Sequence, residues 1–377
     1  MPCLPFAVPV NSITDYLPAH LLLGIFDHLP LCEVFSLDKI CQRFRSLKPS
    51  ALERRREVVL VVGREWRGFS AEFAYQNRLL QQDGTEWFGP PVDTAHSRLR
   101  FETLNGETVK QLCGSLPAVA TLQVMLTDVG SSESVDGLIY LLAKWAFTLT
   151  TLKVGARFRE TRRHSTARTG DAEELIARNL CSLLTVVNQL PELQHLALQL
   201  HHRLLPPVNL SGQSGQSASP QPKPVDLSAL SRLQSAFLLS HDRAAVFYDA
   251  LKRHAERNAA LVSLGLQSCV DAEQFYRAKL ARLSALFAAK FLALDLGRAK
   301  LTQRDMDALG AHFSALTHLG LTLSTPVALL PVLLRSCKAL THLQLYIHTA
   351  SYMQANSGSR RWPFITKTNV YHHHLSH

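Results

Sequence analysis

Apolar positions near the start of the chain predict a compact unit of two helices over residues 13–58. In the first helix they follow the spacing that places side chains along one side of a helix. They are Leu21, Leu22, Ile25, Phe26 and Leu29. Pro30 ends this helix, because a residue that precedes proline avoids the α conformation. The second helix has its apolar positions at Val34, Leu37, Ile40, Cys41 and Phe44.

The character of the chain changes near residue 57, and further along the arrangement h-x-x-L-x-h, with h an apolar residue, recurs. The copies begin at residues 119, 149, 193, 230, 261, 291, 316 and 340. Helical patterns lie between them, over residues 172–190, 241–258 and 302–316. The sequence therefore predicts strand–turn–helix units that close a shared core only by stacking. The parallel strands would lie on the concave side and the helices on the convex side.

The predicted organisation is an α/β protein in which an all-α module at 13–58 is followed by a repeat region at 59–350. The sequence predicts a flexible arm over residues 1–12 and a disordered tail over residues 351–377. Mobile insertions are expected near 157–170, which is basic, and near 206–226. The latter is rich in Ser, Gly, Gln and Pro and cannot bury enough apolar area to offset the entropy lost on ordering.

Composition favours a globular protein and argues against several kinds of site. Hydrophobic residues make up 46% of the chain, and the formal net charge of +10 favours an acidic partner surface without identifying one. The seven cysteines are scattered and never spaced as CxxC, so neither a disulfide framework nor a zinc site is predicted. This usage favours a reducing compartment, the cytoplasm or the nucleus or both. No cofactor, metal or membrane segment is predicted.

Catalytic motifs are absent: the sequence contains no GxSxG, HExxH, P-loop or GxGxxG opening a βαβ unit, so a non-catalytic protein is expected. The histidines at 372–374 and 377 could capture a metal, but a disordered tail is the simpler interpretation. The basic stretch from Arg157 to Arg168 could bind phosphate or nucleic acid. A solvated insertion is favoured, because no base-stacking aromatic set accompanies it, and nucleic acid is not expected as a partner.

The first helical unit resembles an F-box, the adaptor-docking module of substrate receptors in SCF-type cullin-RING ubiquitin ligases. Residues 17–30 reproduce the family's LPxxLLxxIFxxLP opening, and residues 40–45 follow its V/I-C-x-x-aromatic-R pattern. Ala19-His20 departs from it, since a Glu is often found there. The resemblance implies docking to the small S-phase-kinase-associated adaptor, and through it to a cullin-RING scaffold. The implied adaptor-binding residues are Leu17, Pro18, Leu21, Leu22, Ile25, Phe26, Leu29, Pro30, Val34 and Leu37.

The repeated pattern is similar to the irregular leucine-rich repeats found behind F-boxes. Its best copy, residues 261–269, fits LxxLxLxxN/C with Cys269 in the last position. An F-box followed by leucine-rich repeats implies a non-catalytic substrate-recognition subunit of an SCF-type E3 ubiquitin ligase. Such a subunit binds a protein substrate for ubiquitination and proteasomal degradation. Independently of the resemblance, a module of roughly 45 residues is too small for a closed core and leaves apolar surface for a partner to cover.

Three alternatives remain open at this point. The chain could be a protein-interaction scaffold that uses an F-box-like module and repeats outside any ligase complex. The first unit could be an ordinary helical hairpin packed on its own chain. The leucine array could belong to a generic α/β domain in which the spacing is coincidental.

Overall fold

The computed structural model describes the chain in separate stretches. They are residues 16–63, 96–126, 131–156, 169–200, 227–240, 254, 260–268, 293–295, 315–322, 335, 337–348 and 368–374. The predicted arm at 1–12, the insertion at 206–226 and most of the basic insertion lie outside the described residues. So do most of the helices predicted over 241–258 and 302–316.

Short helices form the first unit. Helix α1 spans Ala19–Asp27, α2 spans Leu31–Val34, a 3-10 turn spans Leu37–Lys39 and α3 spans Gln42–Glu53. The second helix predicted from the sequence is therefore broken into three pieces. One break lies between Val34 and Leu37. The second lies at Cys41, which is extended and whose Sγ accepts a hydrogen bond from the Phe44 amide at 3.5 Å, so that α3 begins one residue later.

Strands and helices then alternate through the first part of the remaining chain. The strands are β1 (Glu57–Val62), β2 (Arg98–Phe101), β3 (Thr121–Leu126), β4 (Thr151–Ala156), β5 (His195–Leu200), β6 (Ser235–Ser240), β7 (Ser263–Ser268), β8 (Ala293–Asp295), β9 (His318–Thr322), β10 (His342–His348) and β11 (Thr368–His374). The described helices among them are α4 (Gly106–Ser115), α5 (Ser132–Lys144) and α6 (Thr169–Val187).

The described strands form one sheet in the order β11-β10-β9-β8-β7-β6-β5-β4-β3-β1-β2. Neighbouring strands are parallel except for β10 and β11, which are antiparallel. The prediction of a mixed α/β fold with a parallel sheet is confirmed. At one edge of the sheet, β2 lies outside β1. At the other edge, β11 forms within the segment predicted to be a disordered tail, which differs from that expectation.

The strands keep their register through a recurring hydrogen-bond pattern at their starts. The carbonyl oxygen of Ala120, just before β3, accepts hydrogen bonds from the amides of Thr150 and Thr151 at 2.9 and 3.0 Å. The same double acceptance recurs at the carbonyls of Arg56, Thr150, Gln194 and Gln234. Each unit therefore fixes the next at the same level of the sheet, although the lengths between strands vary.

The core lies between the sheet and its helices. Leu122, Leu152 and Leu196 occupy one register row across β3, β4 and β5, and all three are buried. Because side chains alternate along a strand, the residues that follow them occupy the other face of the sheet. Trp145, at the end of α5, is fully buried and donates its Nε1–H to the carbonyl oxygen of Leu116 at 2.9 Å. This bond links the α5 unit to the one before it.

Candidate docking surface on the N-terminal helices

Helix α1 is held against α3 by one side of its apolar pattern. Leu22 and Phe26 lie one helical turn apart and are buried in the main core. The Phe26 ring meets that of Phe44 on α3 edge-to-face, with the ring centroids 5.0 Å apart. The apolar side chains on this side of α1 are therefore buried against other parts of the same chain.

The carboxyl end of α1 is capped by an arginine that follows α3. Arg55 donates from Nη2 to the carbonyl oxygens of Phe26 and Leu29, at 2.6 and 2.7 Å. A cation at this end also interacts favourably with the helix dipole. Arg54 next to it pairs with Asp27 at the surface, where an ion pair stabilises by about 1 kcal/mol or less. Arg55 thus fixes the position of α1 relative to the end of α3.

The 3-10 turn is joined to α3 by a lysine. Lys48 Nζ lies 3.1 Å from Asp38 Oδ1 and donates to the Phe35 carbonyl oxygen at 2.7 Å. The Lys48 ammonium beside the Asp38 carboxylate, partly opposed by loss of water around that carboxylate, lowers the pKa of Asp38 below its usual value. The connection between α2 and α3 is therefore held in one arrangement.

A hydrogen bond joins this unit directly to the sheet. The Leu31 amide, at the start of α2, donates to the carbonyl oxygen of His96 at 2.6 Å, two residues before β2. Leu31 and Val34 are buried in the core cluster that also contains the strands. The first helices therefore pack against the edge of the sheet at β2 and share its core.

The opposite side of α1 remains open to solvent. Leu21 is 47% exposed and Ile25 is 49% exposed. Pro18, at the start of the helix, is exposed as well. These three residues, which we call the open stripe, are spaced i, i+3 and i+7 and so lie along one side of α1. The open stripe is a candidate docking surface, because large apolar side chains on a small helical unit gain stability when a partner covers them.

The structure separates the ten residues predicted to bind the adaptor into three groups. Pro18, Leu21 and Ile25 are exposed. Leu17, Leu29 and Pro30 are partly buried. Four more, which the structure places in the protein's own core, are Leu22, Phe26, Val34 and Leu37.

Two exposed apolar residues near this unit were absent from the predicted set. Ile40 is well exposed, although its spacing with Val34 and Leu37 placed it among the apolar positions of one helix. The end of α2 at Val34 explains the difference, because a 3-10 turn over Leu37–Lys39 follows it and interrupts the helical period on which that spacing depends. Tyr16 is also exposed, and it lies just before the family pattern begins.

The sheet face opposite the described helices has a polar centre. Gln123 of β3 and Lys153 of β4 are paired in register and both are buried, with Lys153 only 6% exposed. Burial lowers the pKa of Lys153 to about 8, and the charge of Glu57 partly offsets this. On the same face, His195 Nδ1 lies 2.9 Å from Ser235 Oγ.

Described side chains give little indication of reactive chemistry. Burial raises the pKa of the Cys113, Cys181 and Cys337 thiols, which disfavours the reactive thiolate. Among the side chains that the structure describes, no three or more His, Cys, Asp or Glu gather into a group that could hold a metal ion. In the same part of the chain, no helix has the length and apolar character needed to cross a membrane.

Comparisons with known proteins do not show a family. Neither a protein-family model nor a curated protein matches the chain. Among solved structures, it is similar to the leucine-rich repeat-containing protein LegL7 from Legionella pneumophila, with 13% sequence identity and a TM-score of 0.32. That similarity covers 64% of this chain and 78% of the other. At this TM-score it supports no conclusion about fold or function, which rest on the topology and the residues described above.

Proposed function

We propose that the protein is a non-catalytic substrate-recognition subunit of an SCF-type E3 ubiquitin ligase. The first helices are an F-box that docks the adaptor, and through it a cullin-RING scaffold. The strand–helix units are leucine-rich repeats that bind a protein substrate. The protein works in the cytoplasm, the nucleus or both, and it needs no cofactor.

The open stripe is the observation that carries this proposal. Leu21 and Ile25 are each about half exposed on a helix whose other side is sealed by Leu22 and Phe26. Large apolar side chains that are exposed next to one another on a small helical unit are typical of a surface that a partner covers. Stable interfaces bury about 800 Å² on each partner around a few apolar anchors, and a polar rim surrounds them.

The attachment of the N-terminal helices to the sheet supports the proposal that the helices dock the adaptor while the strand–helix units bind the substrate. A receptor of this kind accelerates ubiquitination by raising the effective concentration of substrate lysines near the charged enzyme. That gain depends on a defined geometry between the docking surface and the substrate. The hydrogen bond from Leu31 to His96 and the shared core provide such a connection.

The test is adaptor binding by the full chain with the open stripe made acidic. The double variant Leu21→Asp/Ile25→Asp changes two exposed residues, so the fold is expected to remain intact. Tyr140→Asp/Phe147→Asp is the matched control, because these residues are 59% and 81% exposed and lie on or just after α5. Affinity for the purified adaptor should fall by at least about tenfold in the first variant, since two interface anchors are lost, and stay unchanged in the control.

Two outcomes would decide against this function. Adaptor binding within about twofold of wild type in the Leu21→Asp/Ile25→Asp protein would overturn the docking surface, given that one lost anchor usually costs at least 1 kcal/mol. Adaptor binding without recruitment of a cullin would instead favour the scaffold that acts outside a ligase complex.

A further inference from the structure

A glycine lies in the interior of α1, on the side that is open to solvent. Gly24 is the sixth of the nine residues of α1, and it is partly exposed. It stands two positions from each of the buried residues Leu22 and Phe26, and two positions correspond to about 200° around a helix. It also follows Leu21 by three positions, a spacing at which residues are neighbours on the helix surface. Gly24 therefore lies beside the open stripe.

Packing within the chain does not explain this glycine. A Cβ on Gly24 would meet no atom within 4 Å in the described part of the chain, its chain neighbours and the α1 backbone aside. Gly137 on α5 is the opposite case, because a Cβ there would lie 2.2 Å from the Leu104 carbonyl oxygen. Glycine also makes a helix less stable than alanine does, since it loses more conformational freedom on folding. Alanine would thus fit at position 24 and strengthen α1.

The missing side chain leaves a notch in the surface of α1. Four exposed residues border this notch at i−4, i−3, i+3 and i+4, and they are His20, Leu21, Asp27 and His28. A second molecule can come closer to a helix axis over a glycine than over a larger residue, because the distance between packed elements depends on the side chains at their contact. Amide and carbonyl groups in a helix interior are already paired with each other, so an apolar group that also contacts Leu21 fits the notch best.

The charge of the N-terminal helices indicates what surrounds that apolar group on a partner. Between residues 16 and 56, seven lysines and arginines stand against four aspartates and glutamates. Asp27, the acidic residue that borders the notch, is paired with Arg54. Acidic residues on a partner would therefore meet a surface of opposite net charge. The complementary partner surface has an apolar centre and an acidic rim.

We propose that an apolar side chain of the adaptor packs into the notch at Gly24, against Leu21, and that acidic residues of the adaptor surround this contact. The inference rests on the proposed function, because it takes the adaptor as the partner of the open stripe. Leu21 and Ile25 contribute apolar area to docking, whereas Gly24 contributes shape. A larger residue at position 24 would hold the adaptor away from the open stripe, so Gly24 is a determinant of specificity.

Gly24→Ala in the full chain separates docking from folding. In the free protein the added methyl group lies in open space on a helix, so the melting temperature should stay the same or rise. In the complex it would occupy the space of the adaptor's side chain, so affinity for the purified adaptor should fall by about tenfold or more. Gly24→Leu should weaken binding further, although it adds apolar area. Gly114→Ala on α4 is the matched control, because its Cβ also meets nothing within 4 Å, and it should leave adaptor affinity unchanged.

The outcomes distinguish this inference from the proposed function. Adaptor affinity of Gly24→Ala within about twofold of wild type, or tighter binding by Gly24→Leu, would overturn the contact at the notch. If Leu21→Asp/Ile25→Asp loses binding in that case, the proposed function stands without the notch, whereas retained binding in both variants would refute both. Binding by wild type should also weaken between about 0.1 M and about 0.5 M salt, and equal affinity at the two would overturn the acidic rim.

Discussion

Replacing the buried lysine at the centre of the sheet should stabilise the protein. Lys153 lies in the middle of β4, between Gln123 of β3 and Ala197 of β5, and its side chain is almost wholly removed from water. Burial penalises its charged form and lowers its pKa from 10.5 to about 8. Lys153→Met keeps a long flexible side chain and removes the charge.

The size and the sign of the effect follow from the two pKa values of Lys153. At about 1.4 kcal/mol per pKa unit, the fall from 10.5 to about 8 corresponds to about 3 kcal/mol. Between these pH values the unfolded chain binds more protons at this residue than the folded protein does, so stability rises with pH in this window. Below about pH 8 the lysine is charged in both states, and the full penalty applies.

The assay is urea unfolding followed by far-ultraviolet circular dichroism, at about pH 7 and about pH 10. We expect Lys153→Met to raise the free energy of unfolding at the lower pH by up to about 3 kcal/mol, and by less at the higher pH. Lys110→Met, at an exposed position of α4, is the control and should change stability by no more than about 0.5 kcal/mol. A destabilised Lys153→Met protein, or a gain of equal size at both pH values, would refute the reasoning.

Three further substitutions test how the units pack, with thermal unfolding as the measurement. A Cβ on Gly137 of α5 would lie 2.2 Å from the Leu104 carbonyl oxygen, so Gly137→Ala should destabilise by about 1–3 kcal/mol. Gly114→Ala on α4 meets nothing within 4 Å and should stabilise by about 0.5–1 kcal/mol; equal effects of the two would contradict the packing. Trp145→Phe leaves the buried Leu116 carbonyl oxygen without its donor and should cost about 1–3 kcal/mol; an unchanged melting temperature would argue against that bond.

The repeated leucine pattern was sufficient to predict the consecutive parallel strands β3 to β10. Leu122, Leu152 and Leu196 hold the same place in their h-x-x-L-x-h copies, and the structure puts them in one register row. The pattern succeeds despite unequal gaps, because variation in length falls between the strands while the double hydrogen bonds at strand starts repeat. The position of a leucine within its repeat determines which register row of the sheet it joins. Because each repeat stacks only on its neighbours, these positions determine the order and pairing of the repeated strands.

The two strands at the edges of the sheet could not be predicted from the repeated pattern, because neither is a copy of it. At one edge, β2 lies outside β1. β11 was predicted to be part of a disordered tail because its sequence is not a copy of the repeat. It instead runs antiparallel along β10, where it covers a strand edge that would otherwise be open.

The two sides of α1 show why the sequence pattern did not separate the exposed from the buried members of the proposed docking set. Leu21 and Leu22 are neighbours in sequence, yet successive residues differ by about 100° around a helix, so one is half exposed and the other is buried. The contacts of α1 with Phe44 and Arg55, which lie on α3 and just after it, determine which side of α1 is buried. A loss of adaptor binding after Leu22→Asp would therefore report the folding of the unit, whereas a loss after Leu21→Asp would report contact with the partner.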